Sequence, residues 1–124
     1  MGYLIDTNVV IYYFNGLIRD DSFHDLLASS FNVSIITKIE FLSWDKFYSN
    51  QHLYNKANAF MGNANVLGLS DLVAEKAIGL RQQYKTKTPD AIIAATALVH
   101  GLSIVTNNID DFKCFGLDIS TVSV

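Results

Sequence analysis

Short apolar runs alternate with longer stretches of helical periodicity along this chain, and that alternation limits the possible folds more than any other feature. The runs 2–6 and 102–106 have the length of buried strands, and the stretches 71–84 and 88–100 have the length of helices. Strands that alternate with helices indicate parallel β/α units. The sequence therefore predicts a three-layer α/β/α sandwich around a mostly parallel sheet.

The predicted elements cover most of the chain. Strands are expected at 2–6, 33–36, 64–69, 102–106 and 117–121, with the last strand at an edge of the sheet. Helices are expected at 7–14, 20–30, 37–49, 52–62, 71–84 and 88–100. Thr37 is expected to open the helix 37–49, and Ser70 is expected to cap the helix 71–84. Pro89 is expected in the first turn of the helix 88–100. Residues 107–112 are expected to form a capped turn.

Length and composition favour a single domain, 1–124, with a well-buried core. Of the 124 residues 50% are hydrophobic and only 17% are charged, a balance that excludes a disordered chain. Cys114 is the one cysteine, and the three histidines share no metal-ligand spacing, so neither an internal disulfide nor a zinc site is expected. No apolar run reaches the length of a membrane span and no leader-like start is present, so we expect a soluble, cytoplasmic protein.

Acidic residues follow or begin several of the predicted elements. Asp6 ends the first strand, and Asp111 lies shortly after the strand 102–106. Glu40 lies in the helix that follows the second strand, and Asp90 opens the helix that returns to the strand 102–106. Ligands of parallel sheets bind at the carboxyl ends of the strands. We therefore expect these acids, from four separate segments, to meet at that edge.

Each acid also has a structural explanation. Asp6 can cap the helix 7–14, Glu40 can complete a capping box with Thr37, Asp90 can complement a helix dipole, and Asp111 can be an ordinary loop acid. None of these roles explains why the acids converge. Clustered carboxylates repel one another unless a cation lies between them, and oxygen ligands select Mg²⁺ or Mn²⁺.

The formal net charge of −3 argues against a protein that coats nucleic acid through its overall field. The acids assigned to a metal site account for this excess of negative charge. Bound divalent cations would reverse the sign of the surface around them. The charge therefore does not exclude a nuclease.

Three segments resemble the motifs of the PIN-domain family. They are YLIDTNVVIYYF at 3–14, SIITKIEFLSW at 34–44 and TPDAIIAATALVHGLSIVTNNIDDF at 88–112, and the resemblance extends from residue 2 to about residue 120. The short length is most similar to the toxins of VapBC-type toxin–antitoxin pairs. The resemblance implies a PIN-like fold and a Mg²⁺-dependent (or Mn²⁺-dependent) endoribonuclease that a cognate antitoxin holds inactive.

The resemblance also implies a set of site residues. Asp6, Glu40 and Asp90 match the three central acids of the family, and Asp111 matches the acid of the final motif, with neighbouring Asp110 as the alternative. All four are expected to be catalytic and to bind metal, Asp6 and Asp90 most directly. Glu40 would bind metal or orient the attacking water, and Asp111 would hold a second ion.

Residues around the acids are expected to assist them. One departure from the family is Asn107, where many members have Arg. Asn8 and Thr106 are candidates for positioning the carboxylates. The candidates for contacts with RNA phosphates are the basic residues Lys38, Arg81, Lys85 and Lys87.

The segment 41–48 is unusually rich in aromatic residues. Phe41, Trp44, Phe47 and Tyr48 all lie on the predicted helix 37–49 and cover more than one of its faces. Most of them are expected in the core. The surplus indicates a partner surface, either a homodimer contact or a groove for the antitoxin.

Other classes of protein fit parts of the pattern. A phosphoacceptor receiver domain has a similar length and sheet, but Thr106 is followed by Asn-Asn rather than by a lysine. A haloacid-dehalogenase phosphatase would have a second Asp where this chain has Asn8. A catalytically degenerate PIN-like binding module is the alternative that is not an enzyme.

Overall fold

Parallel strands form one sheet at the centre of the fold. In this computed structural model, which describes residues 2–124, the strands are Tyr3–Ile5 (β1), Asn32–Ser34 (β2), Asn65–Leu67 (β3), Ser103–Val105 (β4) and Ile119–Ser120 (β5). They lie in the order β3-β2-β1-β4-β5, and every neighbouring pair is parallel. The predicted parallel sheet, with residues 117–121 at one edge, is confirmed.

Helices cover both faces of the sheet. They are Thr7–Phe14 (α1), Asp21–Ser29 (α2), Ile35–Leu42 (α3), Gln51–Met61 (α4), Asp71–Gln83 (α5), Thr88–His100 (α6) and the single turn Ile109–Phe112 (α7). Short 3-10 turns follow at Asp45–Phe47 and Lys113–Phe115. Within residues 2–124 no helix combines the length and the apolar character needed to cross a membrane.

Alternate strand residues face two separate cores, as the pleat of a strand requires. Leu4 of β1 and Ile104 of β4 pack against α5 and α6. Ile5 and Val105, the next residues of the same strands, pack on the other face in a core rich in aromatic side chains from α1 to α4. The predicted three-layer α/β/α sandwich is therefore confirmed.

The strand order excludes one of the alternatives. A receiver domain has the order 2-1-3-4-5, in which the first strand pairs with the second and third. Here β1 pairs with β2 and β4. The chain is therefore not a receiver domain.

The ends of α5 and α6 agree with the sequence. Ser70 Oγ accepts a hydrogen bond from the backbone N–H of Val73 at 3.2 Å and caps α5. Pro89 lies in the first turn of α6, and Gly101 ends that helix with φ at 65°. The left-handed conformation at this position suits a residue without a Cβ.

The prediction for α3 was wrong at both ends. Ser34, at the end of β2, caps the helix by accepting a hydrogen bond from the N–H of Ile36 at 3.1 Å, so the helix begins at Ile35 rather than Thr37. It ends at Leu42, because the chain turns extended at Trp44, with φ −59° and ψ 130°. Two consequences follow. Thr37 does not form a capping box with Glu40, and the aromatic residues of 41–48 do not share one helix.

The turn 107–112 also differs from the prediction. Residues 109–112 form the helical turn α7, with Asn108 in the N-cap position. The side chain of Asn108 makes no capping hydrogen bond. The remaining helices differ from their predicted bounds by one residue or less at each end.

Candidate active site

Asp6 follows β1 and caps α1. Its Oδ1 accepts a hydrogen bond from the backbone N–H of Thr7 at 2.8 Å, and its carbonyl oxygen accepts from the N–H groups of Val9 and Val10 at 3.1 Å. The residue is only 5% exposed. The helix-cap explanation is therefore correct, and the cap leaves a buried carboxylate at the carboxyl edge of the sheet.

Thr106 holds the other oxygen of Asp6. It follows β4, the strand next to β1, and its Oγ1 donates to Asp6 Oδ2 at 2.7 Å. The same hydroxyl accepts a hydrogen bond from the N–H of Asn108 at 3.0 Å. Thr106 thus positions a carboxylate, as expected. Asn8 makes no hydrogen bond to a carboxylate within residues 2–124, and its Oδ1 is buried there without a hydrogen-bond partner.

Glu40 is linked to α1 through two hydroxyl groups. Thr7 Oγ1 donates to Glu40 Oε1 at 2.7 Å and lies 3.0 Å from Thr37 Oγ1. Because the Thr7 hydroxyl has one proton, which it gives to Glu40, the hydroxyl of Thr37 must donate to Thr7. Thr37 is fully buried. Its role is therefore to orient Thr7 and Glu40 rather than to start a helix.

Asp90 and Asp111 lie on the same side of the site. Asp90 is half-buried in the first turn of α6, and Asp111 belongs to α7. Both line a cavity of about 150 Å³ together with Asp110. Asp110 forms an exposed ion pair with Lys113 at 3.0 Å. This pairing leaves Asp111 as the better candidate for the fourth acid.

The charges of the four acids interact. The pKa of Asp6 is raised to about 6, and burial is the largest cause. The hydrogen bonds from Thr106 and Thr7 act in the opposite direction, whereas the negative charges of Asp90 and Glu40 add to the rise. The pKa of Asp90 is also raised, first by burial and then by the charges of Asp111 and Glu40. The structure therefore brings the segments that carry these four acids to one edge. Their roles in catalysis and metal binding stay predictions.

The acids are not arranged as a finished metal cage. Among residues 2–124, no three His, Cys, Asp or Glu side chains lie close enough together to hold a metal ion as they stand. Within the same residues, the ion pair between Lys113 and Asp110 is the only one, so Asp6 is buried without a cation. A buried, unpaired carboxylate is unfavourable, and a divalent cation among oxygen ligands relieves that penalty. The donor set therefore fits Mg²⁺ or Mn²⁺.

Asn107 is occupied within the fold. Its Nδ2 donates to the carbonyl oxygen of Val122 at 3.0 Å, and its Oδ1 accepts from the N–H of Val122 at 2.9 Å. The side chain thus pairs with the C-terminal segment as a neighbouring strand would. At this position, where many members of the family have Arg, the side chain therefore serves the fold.

The segment 41–48 forms a groove at the surface. Trp44, Phe47 and Tyr48 line a cavity of about 500 Å³ with residues of α4, among them Tyr54. Phe47 is buried, whereas Tyr48 is 96% exposed. Phe41 is fully buried in the core and takes no part. The surplus of aromatic residues was visible in the sequence, but the contribution of Tyr54 depends on how α4 packs and was missed.

Comparisons with known proteins agree with this arrangement. The sequence model of the PIN domain matches residues 3–115. Ribonuclease VapC1 of Rickettsia felis is 28% identical over 134 residues, which cover 99% of this chain and 98% of that protein.

Solved structures also include relatives of this chain. A chain of a toxin–antitoxin complex from Klebsiella pneumoniae is 36% identical, with a TM-score of 0.74 and 90% of each chain covered. A chain of DNA-bound VapBC from Salmonella typhimurium is 22% identical, with a TM-score of 0.83 and 98% of each chain covered, and this likeness shows the fold alone. The family's sequence model matches nearly the whole chain, and the Klebsiella pneumoniae relative is 36% identical over 90% of it. The chain therefore belongs to the PIN domain family.

Proposed function

We propose that this chain is a metal-dependent endoribonuclease and the toxin of a toxin–antitoxin pair. Two kinds of relative support the proposal, a protein named as a ribonuclease and a chain of a toxin–antitoxin complex. The observation that carries it is the buried carboxylate of Asp6, which has no cation partner in residues 2–124 and interacts with the charges of Asp90 and Glu40.

Asp6 and Asp90 are the residues that would hold a Mg²⁺ or Mn²⁺ ion most directly. Asp6 is fixed by hydrogen bonds on both carboxylate oxygens, whereas Asp90 is half-buried and opens α6. Asp111 is exposed and its side chain makes no hydrogen bond within residues 2–124, so it can turn towards an ion at small cost. Glu40 is also exposed but is held by the hydroxyl of Thr7. This explains how a site without finished geometry can still close around a cation.

The role proposed for each residue follows from the contacts of its side chain. When bound, the divalent cation lowers the pKa of the attacking water and neutralises charge on the phosphate. Thr106 and the N–H of Thr7 keep Asp6 ionised and fixed, because each donates to one of its oxygens. Glu40, oriented by Thr7, would accept a hydrogen bond from the attacking water.

The partner surface that we propose is the groove lined by Trp44, Phe47 and Tyr48. An antitoxin segment would place apolar side chains in this groove and insert an Arg or Lys among Asp6, Glu40 and Asp90. Such an inserted cation would compete with the metal, so inhibition should weaken as the concentration of Mg²⁺ or of salt rises. A homodimer and a cytoplasmic location remain predictions.

Asp90→Asn tests the proposed function. The wild-type chain should arrest growth when expressed alone, and co-expression of its cognate antitoxin should restore growth. The purified chain should cleave RNA with Mg²⁺ or Mn²⁺ and lose this activity in excess chelator. Asp90→Asn should lose both effects because it removes a metal ligand.

Asp25→Asn is the matched control, since Asp25 is an exposed acid of α2 whose side chain makes no hydrogen bond in the described residues. It should remain as toxic as the wild type. Equal toxicity of Asp90→Asn and the wild type would contradict the nuclease mechanism. If the wild type instead bound RNA or partner proteins without any cleavage, the chain would be a degenerate PIN-like binding module.

A further inference from the structure

A small cavity beside Asp90 brings cations and anions together. Its volume is about 150 Å³, and it is lined by Lys85, Thr86, Lys87, Asp90, Asp110, Asp111 and Cys114. The lysines come from the loop between α5 and α6, and two of the acids come from α7. The cavity therefore has a basic wall next to the acids proposed to bind metal.

The loop that carries the two lysines is anchored on both sides. Arg81 Nε donates to the carbonyl oxygen of Thr86 at 3.2 Å and holds the backbone of the loop at that residue. The ring of Tyr84 packs edge-on against Phe115 with 5.4 Å between ring centres. Lys87 occupies the N-cap position of α6, and its carbonyl oxygen accepts from the N–H of Ala91 at 2.9 Å. These contacts thus fix the backbone from which both lysine side chains extend.

The fold does not use the side-chain charges of the two lysines. Within residues 2–124 neither Lys85 nor Lys87 forms an ion pair, although both line a cavity with Asp90 and Asp111. The charge of Lys87 does reach Asp90, whose pKa it partly lowers. Opposite charges that share a cavity without contact leave space for a ligand between them.

The chemistry of that ligand follows from the charges. Asp110 is paired with Lys113, so the remaining charges of the cavity are two acids and two lysines. A divalent cation held by Asp90 and Asp111 would cancel their charge and leave the lysine wall positive. The lysine wall would then attract an anionic group next to the one that the metal holds.

We propose that Lys85 and Lys87 bind a backbone phosphate of single-stranded RNA next to the phosphodiester that is cleaved. This inference rests on the proposed function and identifies a binding surface for its substrate. Arg81 and Lys38 are excluded from the proposal, because neither of them lines the cavity. The two lysines are binding residues and do not contact the reacting atoms.

The experiment uses Lys85→Ala, Lys87→Ala and the double variant, with Lys56→Ala as the control. Lys56 is an exposed lysine of α4 that makes no side-chain contact to the site. Cleavage of a fluorescent oligoribonucleotide is measured with Mn²⁺ over a range of salt concentrations. Affinity for the uncleaved RNA is measured by fluorescence anisotropy in a Glu40→Gln background, which gives a readout independent of activity.

Each lysine variant should raise KM and Kd about tenfold, the loss expected for one charged hydrogen bond. The rise in KM should exceed any fall in kcat, and the effect should be larger on a hexanucleotide than on a dinucleotide with a single phosphodiester. The slope of log affinity against log salt should become shallower by about 0.7 for each lysine removed from a single-strand site. Lys56→Ala should change none of these values.

Wild-type KM, Kd and salt dependence in the double variant would overturn the phosphate-binding role while leaving the nuclease intact. An effect of equal size on the dinucleotide and the hexanucleotide would overturn it as well. If the wild type cleaved no RNA but the lysine variants still weakened RNA binding, the proposed function would fail and the phosphate site would stand.

Discussion

Asp6→Asn should stabilise the metal-free protein at neutral and alkaline pH, although it removes a residue proposed to be essential. Asp6 is buried, has no cation partner in residues 2–124 and experiences the charges of Asp90 and Glu40. An amide has nearly the same shape and no charge. The substitution therefore removes an unfavourable charge from the folded state.

The magnitude follows from the pKa of Asp6, which burial raises from 3.8 to about 6 in the folded protein. The folded state therefore binds a proton at the Asp6 carboxyl more tightly than the unfolded state does. The stability that protonated Asp6 adds to the wild type is complete below pH 3.8 and is lost as the pH rises through 6. The difference between the two pKa values corresponds to about 3 kcal/mol in the free energy of unfolding. The amide cannot accept both existing hydrogen bonds, which costs about 1 kcal/mol. The net gain expected at alkaline pH is therefore about 2 kcal/mol.

The assay is chemical denaturation in chelator across the pH range, with Asp25→Asn as the control for loss of one negative charge. Between about pH 8 and about pH 4.5, the advantage of Asp6→Asn over the wild type should shrink by about 2 kcal/mol, because the wild type becomes protonated at Asp6. Millimolar Mn²⁺ should then stabilise the wild type and Asp25→Asn, since only the folded state provides the site. It should not stabilise Asp6→Asn.

Two results would refute this reasoning. A free-energy difference between Asp6→Asn and the wild type that is equal at acid and alkaline pH would show that Asp6 carries no destabilising charge. Equal stabilisation of both proteins by Mn²⁺ would show that Asp6 does not bind the metal.

Three further substitutions separate the roles of neighbouring residues. Glu40→Gln should lower RNA cleavage at least about 100-fold while changing the free energy of unfolding by less than about 0.5 kcal/mol; retained cleavage would leave Glu40 without a catalytic role. Ser34→Ala should cost about 1 kcal/mol in urea denaturation, and no loss would show that Ser34 is not the cap of α3. Thr106→Val should raise the pKa of Asp6 further, because the Thr106 hydrogen bond lowers it, and weaken Mn²⁺ binding in calorimetry. Unchanged Mn²⁺ affinity would contradict the positioning role of Thr106.

The convergence of the acids could be predicted because it depends on topology rather than on side-chain detail. In a parallel sheet all strands end at one edge, so Asp6 after β1 and Thr106 after β4 were expected at the same edge. Their direct contact depends on the pairing of β1 with β4, which the sequence did not predict. The position of Asp90 followed from the antiparallel course of α6 and β4. These inferences needed only the order and direction of elements, which the apolar runs define.

The start of α3 could not be predicted, because two good capping residues lie three positions apart. Ser34 and Thr37 are equally suitable in local terms. What decides between them is a tertiary contact, since the hydroxyl of Thr37 lies 3.0 Å from that of Thr7 on α1. The partner of Asn107 was hidden for a similar reason, because Val122 lies 15 residues along the chain.

The structural and the functional explanation of Asp6 are compatible, and the fold shows why. The helix cap uses one lone pair of Oδ1, and Thr106 uses one lone pair of Oδ2. Each carboxylate oxygen has a second lone pair, so capping leaves acceptor capacity on both atoms. The two hydrogen bonds also prevent rotation of the carboxylate and oppose the rise of its pKa with burial. The cap thus keeps a buried acid ionised and oriented, which is the state that a divalent cation requires.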